Sequence, residues 1–246
     1  MAVERALLLI ADIAGYTRFM RLHRMSLAHS QDVTARLLDA VVEAVPQLRL
    51  VEVEGDAAFF YAPLPSGDEE VSVKAAVQLA LAMHHGFHAQ QERMIALNMC
   101  SCDGCIQAGK LKVKFVAHVG EVATHKIKRR TQLAGVEVIA VHRMLKNAVP
   151  IPEYVLMSEP VYEASEPSIR DSATSIDEEL EGLGVVRCYF VDVDGLVAEL
   201  PPVRPGTLTE RTRETMGVMC RSLPYLLGIR RCRFALSSQE ASAAPL

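Results

Sequence analysis

Hydrophobic residues fall into short continuous runs and helical stripes that succeed one another along the chain. Residues 7–13 form an uninterrupted apolar run, which is typical of a strand buried on both faces. Within residues 30–45 apolar positions recur every three or four residues, so this stretch predicts a helix with one buried face that ends at Pro46. Two alternating segments, 48–54 and 57–61, flank a Gly-Asp pair and predict a β-hairpin.

The rest of the pattern alternates helices with strands. We predict a helix from about residue 17, helices over 71–97 and 135–147, strands over 112–119, 154–157 and 187–193, and a mobile polar loop over 165–181. This order indicates an α+β or mixed α/β fold in which helices cover a mixed sheet. We expect one large domain over residues 1–200, with a Cys-rich insert at about 98–109, followed by a linker and a basic, helix-like tail over 201–246.

Composition removes several classes of function. The chain has 246 residues and a formal net charge of −4, which gives it no general attraction to nucleic acid or to an anionic membrane surface. Tryptophan is absent, so base stacking is also disfavoured. No apolar run approaches the roughly 20 residues of a membrane span, and the first run lacks the pattern of a signal peptide. We therefore expect a cytoplasmic protein whose six cysteines are reduced thiols or metal ligands.

Two acidic residues stand where the backbone is held rigidly. Asp12 ends the first predicted strand, and Asp56 lies in the turn of the predicted hairpin. If the two strands are neighbours, both carboxylates can converge on one hard cation such as Mg²⁺, which takes one or two carboxylates together with phosphate oxygens and water. The alternative is ordinary turn chemistry, because Asp beside Gly is common in tight turns.

A second candidate metal site is the Cys-x-Cys-x₂-Cys segment formed by Cys100, Cys102 and Cys105. Three thiols in one loop can share a zinc ion. Structural zinc takes a fourth ligand, which Cys220, Cys232, a histidine or a second copy of the chain could supply. The alternative is a surface loop that carries reduced thiols.

The histidines are interpreted as structural. His84 and His88 lie four residues apart on one face of the predicted 71–97 helix, where we expect ordinary polar side chains. His118 lies on the predicted central strand, where we expect a hydrogen-bonded core histidine. None of the three is assigned to a site.

Six segments, taken together and in order, resemble the class III adenylate and guanylate cyclases. They are Ala11-Asp12-Ile13-Ala14-Gly15-Tyr16-Thr17, Glu52-Val53-Glu54-Gly55-Asp56-Ala57, Val116-Ala117-His118-Val119-Gly120-Glu121-Val122, Leu133-Ala134-Gly135-Val136-Glu137-Val138 with Val141-His142-Arg143-Met144, Val155-Leu156-Met157-Ser158-Glu159-Pro160-Val161-Tyr162, and Cys188-Tyr189-Phe190-Val191. They span about residues 5–195. The resemblance implies a ferredoxin-like cyclase homology domain of the βαββαβ type, from a divergent bacterial branch.

The resemblance also implies a metal–triphosphate site. By position, Asp12, Asp56 and the backbone carbonyl of Ile13 would bind Mg²⁺ or Mn²⁺. Arg143 would stabilise charge on the phosphates, since a guanidinium forks onto phosphate oxygens as they gain charge. In this family the metal-binding Asp residues and the Arg helix come from different chains, so the resemblance implies a homodimer with two composite sites.

Recognition of the base and the ribose departs from the family pattern. Glu52 stands where guanylate cyclases carry Glu, and a carboxylate can accept from the N1–H and N2–H₂ of guanine. Gln132 stands where Asp, Thr or Cys is usual. Ile139 replaces the ribose-orienting Asn, and the segment 181–184 replaces the loop with the late Lys. Because one lost oriented contact can cost about 10²–10³ in rate, we expect weak or altered activity.

Three functional hypotheses follow. The first is a metal-dependent nucleotidyl cyclase that converts a purine nucleoside triphosphate to a 3′,5′-cyclic nucleotide and pyrophosphate. The second is a catalytically silent protein on the same fold that binds a nucleotide or a regulatory partner. The third is an interaction module stabilised by zinc at the Cys-rich loop.

Overall fold

A computed structural model describes residues 2–22, 27–64, 69–99, 103–127, 130–194, 196 and 206–226. Among these residues there is no helix with the length and apolar character needed to cross a membrane. Cys100 and Cys102, together with the predicted linker at 201–205, lie outside the described residues. The predictions made for them therefore stay predictions.

The strands join into one mixed sheet. Their bounds are β1 (Ala2–Ala14), β2 (Arg49–Glu54), β3 (Ala57–Pro63), β4 (Lys112–Ile127), β5 (Arg130–Ala134), β6 (Tyr154–Ser158), β7 (Thr174–Leu180) and β8 (Gly184–Asp192). The order across the sheet is β2-β3-β1-β4-β6-β8-β7, and β5 pairs with β4. β4 and β6 run parallel, whereas the other paired strands are antiparallel.

Helices cover both faces of this sheet. Their bounds are α1 (Tyr16–Leu22), α2 (Leu27–Glu43), α3 (Glu69–Leu97), α4 (Asp103–Ala108), α5 (Val136–Met144), α6 (Glu159–Ala164), α7 (Pro167–Ser172) and α8 (Leu208–Leu226). α2 and α3 pack together on one face, and α5 packs on β1 and β4 from the other. The predicted fold class, a mixed sheet covered by helices with a C-terminal helix, is confirmed.

Strand β1 is the centre of the molecule because each of its faces meets a different apolar layer. Leu7 and Leu9 point into the core under α2 and α3, whereas Leu8 and Ile10 point into the core under α5. All four are at most 1% exposed. Two buried faces explain why this strand has a continuous apolar sequence and not an alternating one.

Two local predictions are wrong. Residues 165–181, predicted to be a mobile loop, contain α7 and the edge strand β7. β7 is held by pairing with β8 and by Glu178, which is buried and accepts a hydrogen bond from the Ala148 N–H at 2.8 Å. The Cys-rich loop is also partly helical, because Asp103–Ala108 forms α4. In both places contacts with distant parts of the chain stabilise regular structure where the local sequence predicted a loop: β7 pairs with β8, and α4 contacts α1.

The close contact between α2 and α3 depends on a glycine. A Cβ added at Gly86 would lie 2.8 Å from the Ala40 backbone oxygen and 3.2 Å from the Ala44 Cβ. We expect Gly86→Ala to lower the free energy of unfolding by about 1–3 kcal/mol, since the helices must separate. Urea unfolding measures this. The neighbouring exposed residue supplies the control, His85→Ala, whose effect should stay within about 0.5 kcal/mol.

Alanine is intrinsically the better helix former by about 1 kcal/mol. An unchanged or higher free energy of unfolding in Gly86→Ala would therefore contradict the close approach of the two helices.

Candidate functional site

The two predicted metal carboxylates lie next to each other at one end of the β1–β3 pair. Asp12 is paired with Ala57, the first residue of β3, and the Ile13 N–H donates a hydrogen bond to the Asp56 backbone oxygen at 3.1 Å. The hairpin turn is thereby tied by its backbone to the end of β1. The structure brings Asp12, Ile13 and Asp56 together, as the sequence pattern required.

The turn itself is two residues long. Glu54 pairs with Ala57, which leaves Gly55 and Asp56 as the loop, and Gly55 has a φ of +63°. Two-residue hairpin loops need positive φ values, which glycine adopts without steric cost. The glycine therefore sets the direction in which the Asp56 side chain leaves the hairpin.

The pair has the electrostatics of a cation site. Burial and then the charge of Asp12 raise the pKa of Asp56 from 3.8 to about 6, although a backbone hydrogen bond and the charge of Lys114 act in the opposite direction. Lys114 Nζ lies 3.1 Å from Asp12 Oδ2. Burial and then the charge of Asp56 also raise the pKa of Tyr16. Two carboxylates that destabilise each other are stabilised by a bound divalent cation.

Glu52 and Gln132, predicted to contact the base, line one cavity of about 750 Å³ between the hairpin and the β5–α5 region. Phe59 and Tyr61 of β3 and His142 of α5 supply its aromatic walls. The His142 ring meets the Phe59 ring edge-on at 4.9 Å between centroids. A cavity with aromatic walls and polar groups at its rim suits a planar, hydrogen-bonding ligand.

A second cavity of about 500 Å³ adjoins the first, since Val138 and His142 line both. It contains Arg143 and Lys146, which lie three residues apart on or just after α5. The segment 181–184 borders it: a Cβ at Gly182, whose φ is +72°, would lie 3.2 Å from Arg143 Nη1. Gly182 thus lies against the Arg143 guanidinium.

Ile139 also lines this second cavity and is 48% exposed. Its side chain offers no hydrogen bond at the place where the resemblance implies ribose. Neither cavity is lined by Asp12 or Asp56. In a single chain the carboxylate pair therefore lies outside both cavities.

Sequence reasoning missed two lysines, one beside the carboxylate pair and one in the second cavity. Lys114 was seen only as part of an alternating strand, and its ion pair follows from the β1–β4 register, which places it opposite Asp12. Lys146 could have been found from its spacing of three from Arg143 within the stretch 135–147 that the sequence predicts to be helical.

The histidines give one correction and one confirmation. His84 is 5% exposed and lies 3.3 Å from Glu153, so neither it nor His88 is an ordinary polar-face side chain. His118 does form the expected core hydrogen bond, with Glu137 Oε2 at 2.6 Å. Cys105 is half-buried on α4, and zinc binding by the Cys-rich segment stays a prediction.

Solved structures with a similar fold are class III cyclase domains. The adenylyl cyclase CyaB from Pseudomonas aeruginosa has a TM-score of 0.58 at 17% identity and covers 82% of this chain and 98% of its own. The guanylate cyclase domain of RhGC from Catenaria anguillulae, in complex with GTP, has a TM-score of 0.55 at 18% identity, with 78% and 98% covered.

A class III adenylyl cyclase-like ATP-binding protein from Pseudomonas aeruginosa has a TM-score of 0.55 at 19% identity and covers 69% of this chain and 36% of its own. At these identities the similarity establishes the fold.

Sequence comparison identifies closer relatives. Residues 34–154 match the family described as "Protein of unknown function (DUF2652)". The uncharacterized protein Rv2561/Rv2562 from Mycobacterium tuberculosis is 38% identical over 202 residues, which cover 80% of this chain and 90% of the mycobacterial protein. The chain therefore belongs to the family of the mycobacterial Rv2561/Rv2562 protein, and its fold is that of the class III cyclase domains.

Proposed function

We propose that this protein is a divergent class III nucleotidyl cyclase that forms a 3′,5′-cyclic nucleotide and pyrophosphate from a purine nucleoside triphosphate. The observation that carries the proposal is the pair Asp12 and Asp56, which the β1–β3 backbone holds together. The charge of Asp12 contributes to the raised pKa of Asp56, and a bound cation would stabilise both carboxylates. The proposed catalytic unit is residues 1–200, with 201–246 as an accessory tail. A nucleoside triphosphate substrate places the reaction in the cytoplasm.

Asp12, Asp56 and the Ile13 carbonyl would hold Mg²⁺ or Mn²⁺. Their oxygen-only donor set and the raised pKa of Asp56, caused by burial and by Asp12, fit a hard divalent cation. When bound, such an ion supplies charge neutralisation at the phosphates. Lys114, paired with Asp12, supplies part of that positive charge from the protein itself.

The base would occupy the cavity that contains Glu52 and Gln132. Its volume of about 750 Å³ suits a nucleotide-sized ligand. Glu52 can accept two hydrogen bonds from the N1–H and N2–H₂ of guanine, whereas adenine has no matching pair of donors. GTP is therefore the substrate that this residue favours.

Arg143 and Lys146 would bind the phosphates from the adjoining cavity. In the reaction the ribose 3′-oxygen forms a bond to the α-phosphorus, the bond to the pyrophosphate oxygen breaks, and the hydroxyl proton passes to solvent. Positive side chains stabilise the charge that develops on the phosphate oxygens. Lys146 is the residue that we offer for the role of the family's late Lys.

Composite sites require a homodimer. Large apolar side chains are exposed around the two cavities: Leu50 by 44%, Val53 by 48% and Ile139 by 48%. Val136, at the start of α5, is 59% exposed. Exposed apolar groups gathered at one site are typical of a surface that a second copy covers. The partner's carboxylate pair would then complete each cavity.

The direct test is to incubate the pure protein with each nucleoside triphosphate and Mn²⁺, and to search for cyclic product by mass spectrometry. We expect cyclic GMP as the main product. Nucleotides that raise the melting temperature without forming product would support the second candidate function, binding without turnover, which the apolar Ile139 favours. If the protein forms no cyclic product and no nucleotide raises its melting temperature, both functions are excluded.

Restoring a polar group at the ribose position is expected to raise the rate. Ile139→Asn should increase turnover at least about tenfold, since a transition-state hydrogen bond of this kind can contribute about 10²–10³. Initial rates at saturating GTP measure it. Val185→Asn is the matched control, because Val185 is 71% exposed on β8 and lines neither cavity. Equal rates in both variants would contradict the assignment of Ile139.

A further inference from the structure

A buried cluster of two histidines and a glutamate joins α3 to the sheet, away from the two cavities. His84 and His88 lie one turn apart on α3, and Glu153 immediately precedes β6. Glu153 is 2% exposed, His84 is 5% exposed, and the ligand atoms of the three residues lie within 4.8 Å of one another. Groups of this polarity are buried only with compensating charge or hydrogen bonds.

Gln91 determines which nitrogen of His88 carries a proton. The Gln91 amide Nε2 donates to the Ala108 and Leu111 carbonyls, at 2.9 and 2.8 Å, so its Oε1 faces His88 Nδ1 at 2.9 Å. An amide oxygen only accepts, and His88 Nδ1–H must therefore be the donor. In the neutral imidazole this leaves the lone pair on His88 Nε2.

That lone pair points at an acceptor. His88 Nε2 lies 2.6 Å from Glu153 Oε1, which also accepts from the Val113 N–H at 3.1 Å. The other oxygen of Glu153 pairs with Lys112 Nζ at 2.6 Å. The ammonium of Lys112 and the Val113 N–H both donate to Glu153, which is the contact set of an ionised carboxylate. A positive charge is therefore required at this contact, either a proton on His88 or a metal ion, which would move the two atoms apart to about 3.3 Å.

His84 decides between these. Its Nε2 lies 3.3 Å from Glu153 Oε1, yet neither of its ring nitrogens has a hydrogen-bond partner in the described part of the chain. A proton on His88 would satisfy one contact and leave this buried ring unpaired. A metal ion takes the lone pairs of both histidines and one carboxylate oxygen together.

We propose that His84 Nε2, His88 Nε2 and Glu153 Oε1 bind a zinc ion, with water as the fourth ligand. Gln91 and Lys112 hold the ligands from behind, as the partners of metal-bound His and Glu side chains do elsewhere. Imidazole nitrogens select a borderline metal such as zinc, whereas the Asp12–Asp56 pair selects a hard one. The site is independent of the proposed cyclase activity, and it fastens α3 to β4 and β6.

The test uses the full chain after dialysis against a chelator, with zinc chloride alone as the probe. Relative to the dialysed protein, we expect the chain to bind one zinc ion. Its melting temperature should rise by about 5–10 °C when the free zinc concentration is 100 times the dissociation constant. His84→Ala should lose both, while keeping the contacts of Glu153 with His88 and Lys112. The adjacent exposed histidine gives the control, His85→Ala, which should behave as the wild type.

The Cys-rich segment could also bind zinc, so the triple variant Cys100→Ser, Cys102→Ser and Cys105→Ser is measured in parallel. Retention of the zinc and of the thermal shift in this variant supports the His–Glu site. Cobalt(II) bound to the same variant should absorb in the visible region and show no thiolate charge-transfer band. Zinc that is retained when His84→Ala is added to this triple variant, or a wild-type protein that neither binds zinc nor is stabilised by it, overturns the proposal.

Discussion

Co-expression of two inactive variants, Asp12→Asn and Arg143→Ala, is expected to restore about a quarter of the wild-type cyclase activity. Random assortment makes half of the dimers mixed, and each mixed dimer has one intact site out of two. Each variant alone should fall to background. We expect this recovery because, within one chain, neither of the two cavities is lined by Asp12 or Asp56, so that a second chain would supply the carboxylates.

The matched control is the pair Asp12→Asn with Asp56→Asn. Both substitutions damage the same half of a composite site, so every site in a mixed dimer keeps one damaged carboxylate and activity should stay at background. Initial rates of cyclic nucleotide formation on the purified mixtures measure both cases. Recovery in the control pair, or none in the test pair, would contradict a site shared between two chains.

Asp56→Asn is expected to reduce turnover by at least about 10²–10³ and to make the metal-free protein more stable. Turnover falls because the substitution removes a charged ligand of the proposed Mg²⁺ site. Stability rises because burial and the neighbouring Asp12 destabilise the ionised Asp56, as its pKa of about 6 shows. Function and stability therefore change in opposite directions, as is common at functional sites.

The pH dependence of stability checks the second half of this prediction. Asp56 has a folded-state pKa of about 6, above its usual 3.8, so the folded protein holds the proton more tightly than the unfolded chain. Its contribution to stability is complete below pH 3.8 and is lost as the pH rises through about 6. The advantage of Asp56→Asn over the wild type should consequently grow between pH 4 and pH 7.

Chemical unfolding in the presence of a chelator measures this difference across the pH range. An exposed acid on α7 supplies the control, Asp171→Asn, which removes one negative charge away from the carboxylate pair. Addition of Mn²⁺ should stabilise the wild type and leave Asp56→Asn unchanged. A variant that is less stable than the wild type at pH 7 without metal would show that the two carboxylates do not repel each other.

Local sequence was sufficient for the carboxylate pair. The apolar run of β1, the alternating hairpin strands and the Gly-Asp turn are short-range patterns, and each follows from burial or from backbone geometry within a few residues. The order of these elements along the chain then indicated a mixed sheet covered by helices. These features could be predicted because the residues that cause them are neighbours in sequence.

Features that depend on contacts between residues far apart in the sequence could not be predicted from local patterns. β7 is an edge strand only because β8 pairs with it, and the burial of His84 depends on Glu153, which lies 69 positions later. The two cavities likewise combine residues of the hairpin, of α5 and of the segment 179–181. Tertiary packing alone brings these groups together, and burial then changes their chemistry by removing water from around their charges.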